Sequence, residues 1–236
     1  MAGKKIAIIT ARGGSKRIPK KNIKEFCGKP IIVYSIEAAL QSLLFDEVMV
    51  STDDDEIKDI ALQNGAKVPF MRSQKASDDY ATTMDVLCEV VEQYRKLGIT
   101  FSTICCIYPT APFVTGEKLI CAYEKLVTEN ADVVFPVVPF SFPPQRANVI
   151  KNGLLEYINP EMQFKRSQDL EKWYHDVGQY YIYDSRCFYG KIPGTVKTMV
   201  PIVVSELEAQ DIDNEMDWQL AELKYKLVRS VLYSGE

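Results

Sequence analysis

Between Arg12 and Lys24 the chain carries six basic residues (Arg12, Lys16, Arg17, Lys20, Lys21, Lys24) and no acidic one. They fall in or just after the stretch Ala11-Arg12-Gly13-Gly14-Ser15-Lys16-Arg17-Ile18-Pro19-Lys20-Lys21-Asn22, which follows directly on an apolar run. Two glycines let the backbone approach a ligand and turn its N–H groups toward it. A loop at the carboxyl end of a strand is where open α/β sheets bind ligands. In a chain whose formal net charge is −4, such clustering needs a cause, and a polyphosphate supplies one. Each close charge pair is worth roughly 4 kcal/mol at an effective dielectric near 20, before desolvation is set against it. A solvated basic loop is the plain alternative. The pattern is neither G-x-x-x-x-G-K-[ST] nor G-x-G-x-x-G, so P-loop and dinucleotide-binding chemistry are poorly supported.

Asp211-Ile212-Asp213 is the second candidate. In an extended stretch residues i and i+2 share a face, so both carboxylates point one way and Ile212 points to the core. Paired carboxylates repel unless a cation lies between them. Mg²⁺ held by one or two carboxylates plus substrate phosphate oxygens fits; a turn or cap is the alternative. Asp217, three residues after Asn214, is expected to serve a helix N-terminus instead.

Three weaker constellations follow. Ser51-Thr52-Asp53-Asp54-Asp55 ends a strand, and Asp53 or Asp54 as a helix N-cap competes with any site role. Arg72 with Ser77-Asp78-Asp79-Tyr80-Ala81-Thr82-Thr83 could read a base edge. Gln145-Arg146, Lys165 to Asp169 and Tyr174 to Gln179 combine arginines able to clamp a carboxylate with aromatics able to line a sugar site. His175, the single histidine, would more often be structural.

The elements that must position these residues read as an α/β chain. At 236 residues and 47% hydrophobic, the chain can bury a sizeable core without disulfides. Its charge balance gives no reason to expect nucleic acid or membrane as partner. The six cysteines form no C-x-x-C pair and read as reduced core thiols. The apolar run Ile6–Thr10 is too short for a secretion signal and no stretch approaches a membrane span, so the chain is expected in the cytoplasm.

Strands are expected at Ile6–Thr10, Val48–Ser51, Lys67–Met71, Thr103–Tyr108 and Val133–Val138. Helices alternate with them: Pro30–Leu43, Asp54–Gln63, Thr82–Leu97 opened by a Thr82/Asp85 capping box, and Glu117–Val127. That alternation argues for a mainly parallel sheet covered on both faces. The pattern breaks over residues 139–177, read as an inserted substrate or dimerisation lobe with short strands of its own. Gly178–Tyr183 and Met199–Val204 return as strands, and Asn214 caps a last helix to about Arg229. The whole chain, 1–236, is expected to form one domain carrying that lobe.

The residues I-A-I-I-T-A-R-G-G-S-K-R-I-P-K-K-N (6–22) resemble the nucleotide-binding signature of the CMP-sugar synthetases that activate nonulosonic acids. F-D-E-V-M-V-S-T-D-D (45–54), Y-P-T-A-P-F (108–113) and D-I-D-N-E-M-D (211–217) follow in matching order over nearly the whole chain. The resemblance implies a Rossmann-like α/β fold with a small dimerisation lobe, a homodimer, and nucleotidyl transfer from CTP to an acidic nine-carbon sugar. It implies that Arg12, Ser15, Lys16, Lys21 and Asn22 contact the nucleotide, with Arg12, Lys16 and Lys21 also offsetting phosphate charge during transfer. Arg72, Ala81 and Thr83 would lie near cytosine and ribose, and Asp211 and Asp213 would hold Mg²⁺. The sialic acid branch tends to have Q-P-T-S-P-L-R and R-x-N-G; here stand Tyr108 to Val114 and Y-H-D-V-G-Q (174–179). With R-S-Q-D-L-E (166–171) and P-P-Q-R-A (143–147), the chain is similar to the pseudaminic acid branch, whose diacetamido sugar is often destined for flagellin or surface polysaccharide. Tyr108, Arg146, Arg166, His175 and Gln179 are the candidate sugar contacts. Legionaminic, neuraminic and 3-deoxy-octulosonic acids stay open as acceptors, and so does a nucleotide-binding module without catalysis.

Overall fold

A computed structural model describes residues 3–78, 80–190 and 193–233; Asp79, in the polar stretch before Thr83, lies outside the described residues. The first apolar run forms β1 (Lys5–Thr10). After the basic loop come a short hairpin, β2 (Glu25–Phe26) and β3 (Lys29–Pro30), and helix α1 (Ile31–Gln41). β4 (Glu47–Ser51) leads into α2 (Asp55–Gln63), where Asp54 is the N-cap, its carboxylate accepting from Ile57 N at 3.0 Å. The one-turn α3 (Gln74–Ser77) precedes α4 (Thr83–Lys96). The expected capping box closes α4: Asp85 N donates to Thr82 Oγ1, and Thr82 N donates to Asp85 Oδ2 at 2.9 Å. Such a cap is worth about 1 kcal/mol.

The second half runs β5 (Thr103–Ile107), α5 (Gly116–Thr128) and β6 (Val133–Pro139). The irregular segment contains the hairpin β7 (Asn148–Lys151) and β8 (Leu154–Tyr157), then β9 (Tyr174–Asp176). β10 (Tyr180–Asp184), α6 (Arg186–Tyr189), β11 (Met199–Val203) and α7 (Glu215–Tyr233) complete the chain.

The main sheet has the order β11-β6-β10-β5-β1-β4, with β9 also paired to β6. β1 runs parallel to β4 and β5, and β11 parallel to β6. β10 enters between β5 and β6 antiparallel to both. The sheet is therefore mixed around a parallel core. β1 alternates strictly between two cores: Ala7 and Ile9 join α1, α2 and α5 on one face, while Ile6 and Ile8 join α4 and α6 on the other. Cys105 and Cys106 are divided the same way. All six cysteines are free, but Cys121 is exposed rather than a core thiol.

One expected strand does not form. Lys67–Met71 makes only a single bridge, Met49 to Lys67, with Lys67 N donating to Val48 O and Val50 N to Lys67 O. Pro69 has no N–H to continue the ladder. The segment instead departs toward the site, where Arg72 N donates to Thr52 O at 2.8 Å.

A third apolar cluster ties distant parts of the chain together. Ile18 of the basic loop, Phe26, Ile31, Tyr34, Ile212, Trp218 and Ala221 bury one another, with Phe26 edge-on to both Tyr34 and Trp218 at 5.6 Å. This cluster carries the Asp-Ile-Asp segment to the loop after β1.

Candidate active site

The basic loop is held from behind by two acidic residues and one amide. Gly13 N donates to Asp53 Oδ1 at 2.9 Å. A Cβ on Gly13 would lie 2.5 Å from Asp54 Oδ2 and 2.9 Å from its Cβ, whereas Gly14 faces open space. Gly13 is thus required by close approach. Asn22 is buried, and its side-chain amide donates to Arg12 O at 2.8 Å, drawing the loop closed on itself.

The six cations of the loop do not share one task. Lys20 pairs with Glu56, and Lys24 with Glu215 at 2.8 Å above the Trp218 ring. Arg12, Lys16, Arg17 and Lys21 line a cavity of about 590 Å³. Arg12 Nη1 donates to Asp78 O at 3.1 Å. Lys21 reaches across the site, Nζ donating to the carbonyl of Ile212 at 2.7 Å. Its removal from water lowers its pKa, and Asp213 and Asp211 act the other way.

All eight residues expected near the nucleotide line this one cavity: Arg12, Ser15, Lys16, Lys21, Asn22, Arg72, Ala81 and Thr83. Arg72 is buried, donating from Nε to Ser51 Oγ at 3.0 Å and from Nη2 to Ser51 O at 2.5 Å. Ala81 is fixed by Asp78, whose Oδ1 accepts from Ala81 N at 2.7 Å. Tyr108, expected at the sugar, lines the same cavity and shares a hydrogen bond of 3.1 Å with the Thr83 hydroxyl. Arg17 and Thr110 also line it; Arg17 stands in the basic loop, but nothing in its spacing separates it from Lys20.

Asp211-Ile212-Asp213 lies outside any strand or helix, with Ile212 fully buried between the two more exposed carboxylates. Arg17 Nη1 meets Asp213 Oδ2 at 2.7 Å, and Lys21 Nζ lies 4.0 Å from Asp213 Oδ1. Asp211 is pushed above the ordinary carboxylate value by desolvation and then by Asp213, against the pull of Lys21. Asp217 does serve the helix: its Oδ2 accepts from Asp213 N and Asn214 N, each at 3.0 Å, while Asp217 N donates to Asn214 Oδ1. Among the described residues no group of three or more His, Cys, Asp or Glu side chains is gathered for a metal. Any cation here would lean on the Asp pair and on oxygens brought by a ligand.

Neither Asp211 nor Asp213 lines the first cavity; Asp211 lines a second, of about 380 Å³, together with Val138, His175, Asp176, Glu206 and Lys224. Gly178 lies at the divide, with φ +64°; a Cβ there would stand 3.9 Å from both the Asp211 carboxyl carbon and the Tyr108 ring. His175 is exposed, its Nδ1 2.9 Å from Asp176 O and its ring 4.8 Å from that of Phe140.

The other expected sugar contacts lie elsewhere. Arg166 is exposed on the lobe and doubly bonded to Asp169, three residues away, at 2.7 and 3.0 Å. Arg146 Nη1 donates to Ser167 Oγ at 3.3 Å. Neither lines either cavity. Gln179 is buried behind the site, Nε2 donating to Glu208 O at 2.5 Å and its carbonyl accepting from Tyr108 N at 2.8 Å. It positions Tyr108 through the backbone. Glu206 and Lys224 had no sequence signal, since the one lies between two elements and the other looks like any surface lysine of an amphipathic helix.

Comparison with known proteins gives the family and the fold. Residues 6–191 match the family model described as cytidylyltransferase. The chain is 41% identical over 230 residues to the pseudaminic acid cytidylyltransferase of Campylobacter jejuni serotype O:2, covering 95% of this chain and 97% of that one. It is 32% identical to the CMP-N,N'-diacetyllegionaminic acid synthase of Legionella pneumophila, covering 96% and 98%. A solved CMP:2-keto-3-deoxy-manno-octonic acid synthetase complexed with CTP has the same fold, with TM-score 0.68 at 18% identity, covering 96% of this chain and 99% of that one.

Proposed function

The chain belongs to the cytidylyltransferase family, and on that premise we propose that it transfers CMP from CTP to the anomeric hydroxyl of pseudaminic acid, releasing pyrophosphate. The observation that carries this reading is the convergence of the eight expected nucleotide residues on one cavity whose floor is joined to the Asp pair by Lys21. Its volume of about 590 Å³ suits a nucleotide. Higher identity to the pseudaminic than to the legionaminic relative favours that sugar.

In this reading the anomeric oxygen attacks the α-phosphorus, a new P–O bond forms, and the bond to the β-phosphate oxygen breaks. Catalysis is positioning plus charge stabilisation. Arg12, Lys16 and Lys21 would offset the charge of the triphosphate. Buried Arg72, with Ala81 and Thr83, would hold cytosine and ribose. Tyr108, between Thr83 and Gly178, would stand where nucleotide and acceptor meet.

Magnesium is part of the proposal. Asp211 and Asp213 fit it because the Asp211 pKa is raised, first by burial and then by repulsion from Asp213, and a cation relieves that repulsion. When bound, the ion would neutralise charge on phosphate oxygens. Arg17, now paired with Asp213, would then be free to turn to the phosphates.

A homodimer is also proposed. The lobe exposes Phe142 and Phe164 at 86% and 87%, and Ile150, Leu154 and Leu155 at 69–74%, more apolar surface than a monomer ordinarily leaves in water. A reaction fed by CTP is assigned to the cytoplasm. The test is pyrophosphate release from CTP and Mg²⁺ with a panel of nonulosonic acids. Turnover with pseudaminic acid foremost is expected; none with any sugar acid would overturn the reading in favour of a nucleotide-binding module.

A further inference from the structure

The second cavity contains one Lys or Arg among its described lining residues, Lys224 of α7. An ammonium has three donors, and among the described residues Lys224 Nζ donates to Ala209 O at 2.8 Å. Two donors remain for a ligand. Partial burial lowers the Lys224 pKa, while Glu206 on the same wall supports the charged form. A cation partly stripped of water gains most from an anion that replaces that water.

The neighbouring carboxylates are Asp176, Glu206 and Asp211. Asp176 accepts from Gly178 N at 2.7 Å and from the Tyr181 hydroxyl at 2.6 Å. Glu206 accepts from the Ser141 hydroxyl at 3.2 Å. Asp211 lines this wall, and only Gly178 separates it from Tyr108 of the nucleotide cavity, a Cβ there standing 3.9 Å from each.

Resting on the proposed reaction, we infer that Lys224 binds the carboxylate of the acceptor sugar acid and so sets which hydroxyl faces CTP. In a 2-keto sugar acid the carboxylate sits on the anomeric carbon itself. Its anchor must therefore lie beside the place where the sugar meets the α-phosphate, which is the Asp211 edge. Arg146 and Arg166, held by Ser167 and Asp169 on the lobe, do not line that edge. Lys224 does, and the carbonyl of Ala209, two residues before Asp211, fixes its head.

The test compares Lys224→Gln and Lys224→Met with the parent, using pseudaminic acid and its C1 primary amide. Gln keeps a donor for Ala209 O and removes only the charge, which guards against a merely unfolded variant. The acceptor KM is expected to rise about 10- to 100-fold in both variants while the KM for CTP stays within about twofold. The parent should discriminate against the amide by a similar factor, and the variants should not. An unchanged acceptor KM, or discrimination kept in Lys224→Gln, would overturn the assignment while leaving the proposed reaction standing. Failure of the parent with every sugar acid would overturn both.

Discussion

The ammonium of Lys21 donates to the carbonyl of Ile212 at 2.7 Å, across 191 residues of sequence. One bond thus joins the loop after the first strand to the backbone between two carboxylates. The cation is half-buried, with its side chain 21% exposed, so the bond is partly shielded from water. Lys21→Ala is expected to lower kcat/KM for CTP by about 100-fold and to cost about 1–3 kcal/mol of stability, through the orphaned carbonyl. Steady-state pyrophosphate release and urea unfolding read the two effects. A variant with parental CTP kinetics would remove Lys21 from the phosphate cradle.

The Asp pair should separate activity from folding. Asp213→Asn is expected to reduce turnover by about 100- to 1,000-fold and to raise the Mg²⁺ concentration needed for half-maximal rate. Its melting temperature should stay close to the parent's, because Asp213 is partly exposed and Ile212 carries the packing. Retained activity at limiting Mg²⁺ would sink the metal assignment.

Asp211 predicts a pH dependence of the metal-free protein. Its pKa is raised in the fold by desolvation and by Asp213. Its contribution to stability is therefore full below the ordinary carboxylate pKa and is lost as pH rises through the raised value. Across that window the parent should lose stability relative to Asp211→Asn, which does not titrate, and Mg²⁺ should return part of the loss. Denaturant unfolding at stepped pH, with and without the ion, measures this; parallel curves for the two proteins would contradict it.

Gly13 and Gly14 are neighbours with different tolerances. Gly13→Ala meets the Asp54 carboxylate and should destabilise the protein by about 1–3 kcal/mol and raise the KM for CTP. Gly14→Ala points into open space and should be nearly neutral for stability. Thermal melts of the pair decide it, and equal effects would mean that the loop moves enough to absorb a methyl group.

The lobe carries the remaining prediction. Leu154→Glu with Phe164→Glu should convert a dimer to a monomer by light scattering, both side chains being exposed in the single chain. A parent that is already monomeric would refute the homodimer.

Much of this was legible because the signals were local. β1, β4, β5 and β6 are short runs of buried side chains, and two of the helices between them announce themselves by caps at Asp54 and Thr82, whereas the Thr115 cap of α5 was not read. The basic loop and the Asp pair could be read from residue type alone. The direction of β10 could not, because an apolar run carries no sign of which neighbours it will divide. Lys67–Met71 misled because β-branched and aromatic residues outweighed one proline. The sugar contacts were the least legible part. A guanidinium on the lobe looks the same in sequence whether it awaits a substrate or is satisfied by Asp169 three residues on, and Lys224 declares itself only when α7 folds back against Ala209.

The entry of β10 between β5 and β6 also dictates an order of events on the ribosome. β5 and β6 emerge first, and the β5 edge left open by β1 is the one that residues 180–184 later fill. Translation at about 5–20 residues per second leaves that edge open for seconds while the lobe is made. The nascent chain is most exposed to edge-to-edge association in that interval. A stall placed after β6 should therefore yield more aggregate than one placed after β10.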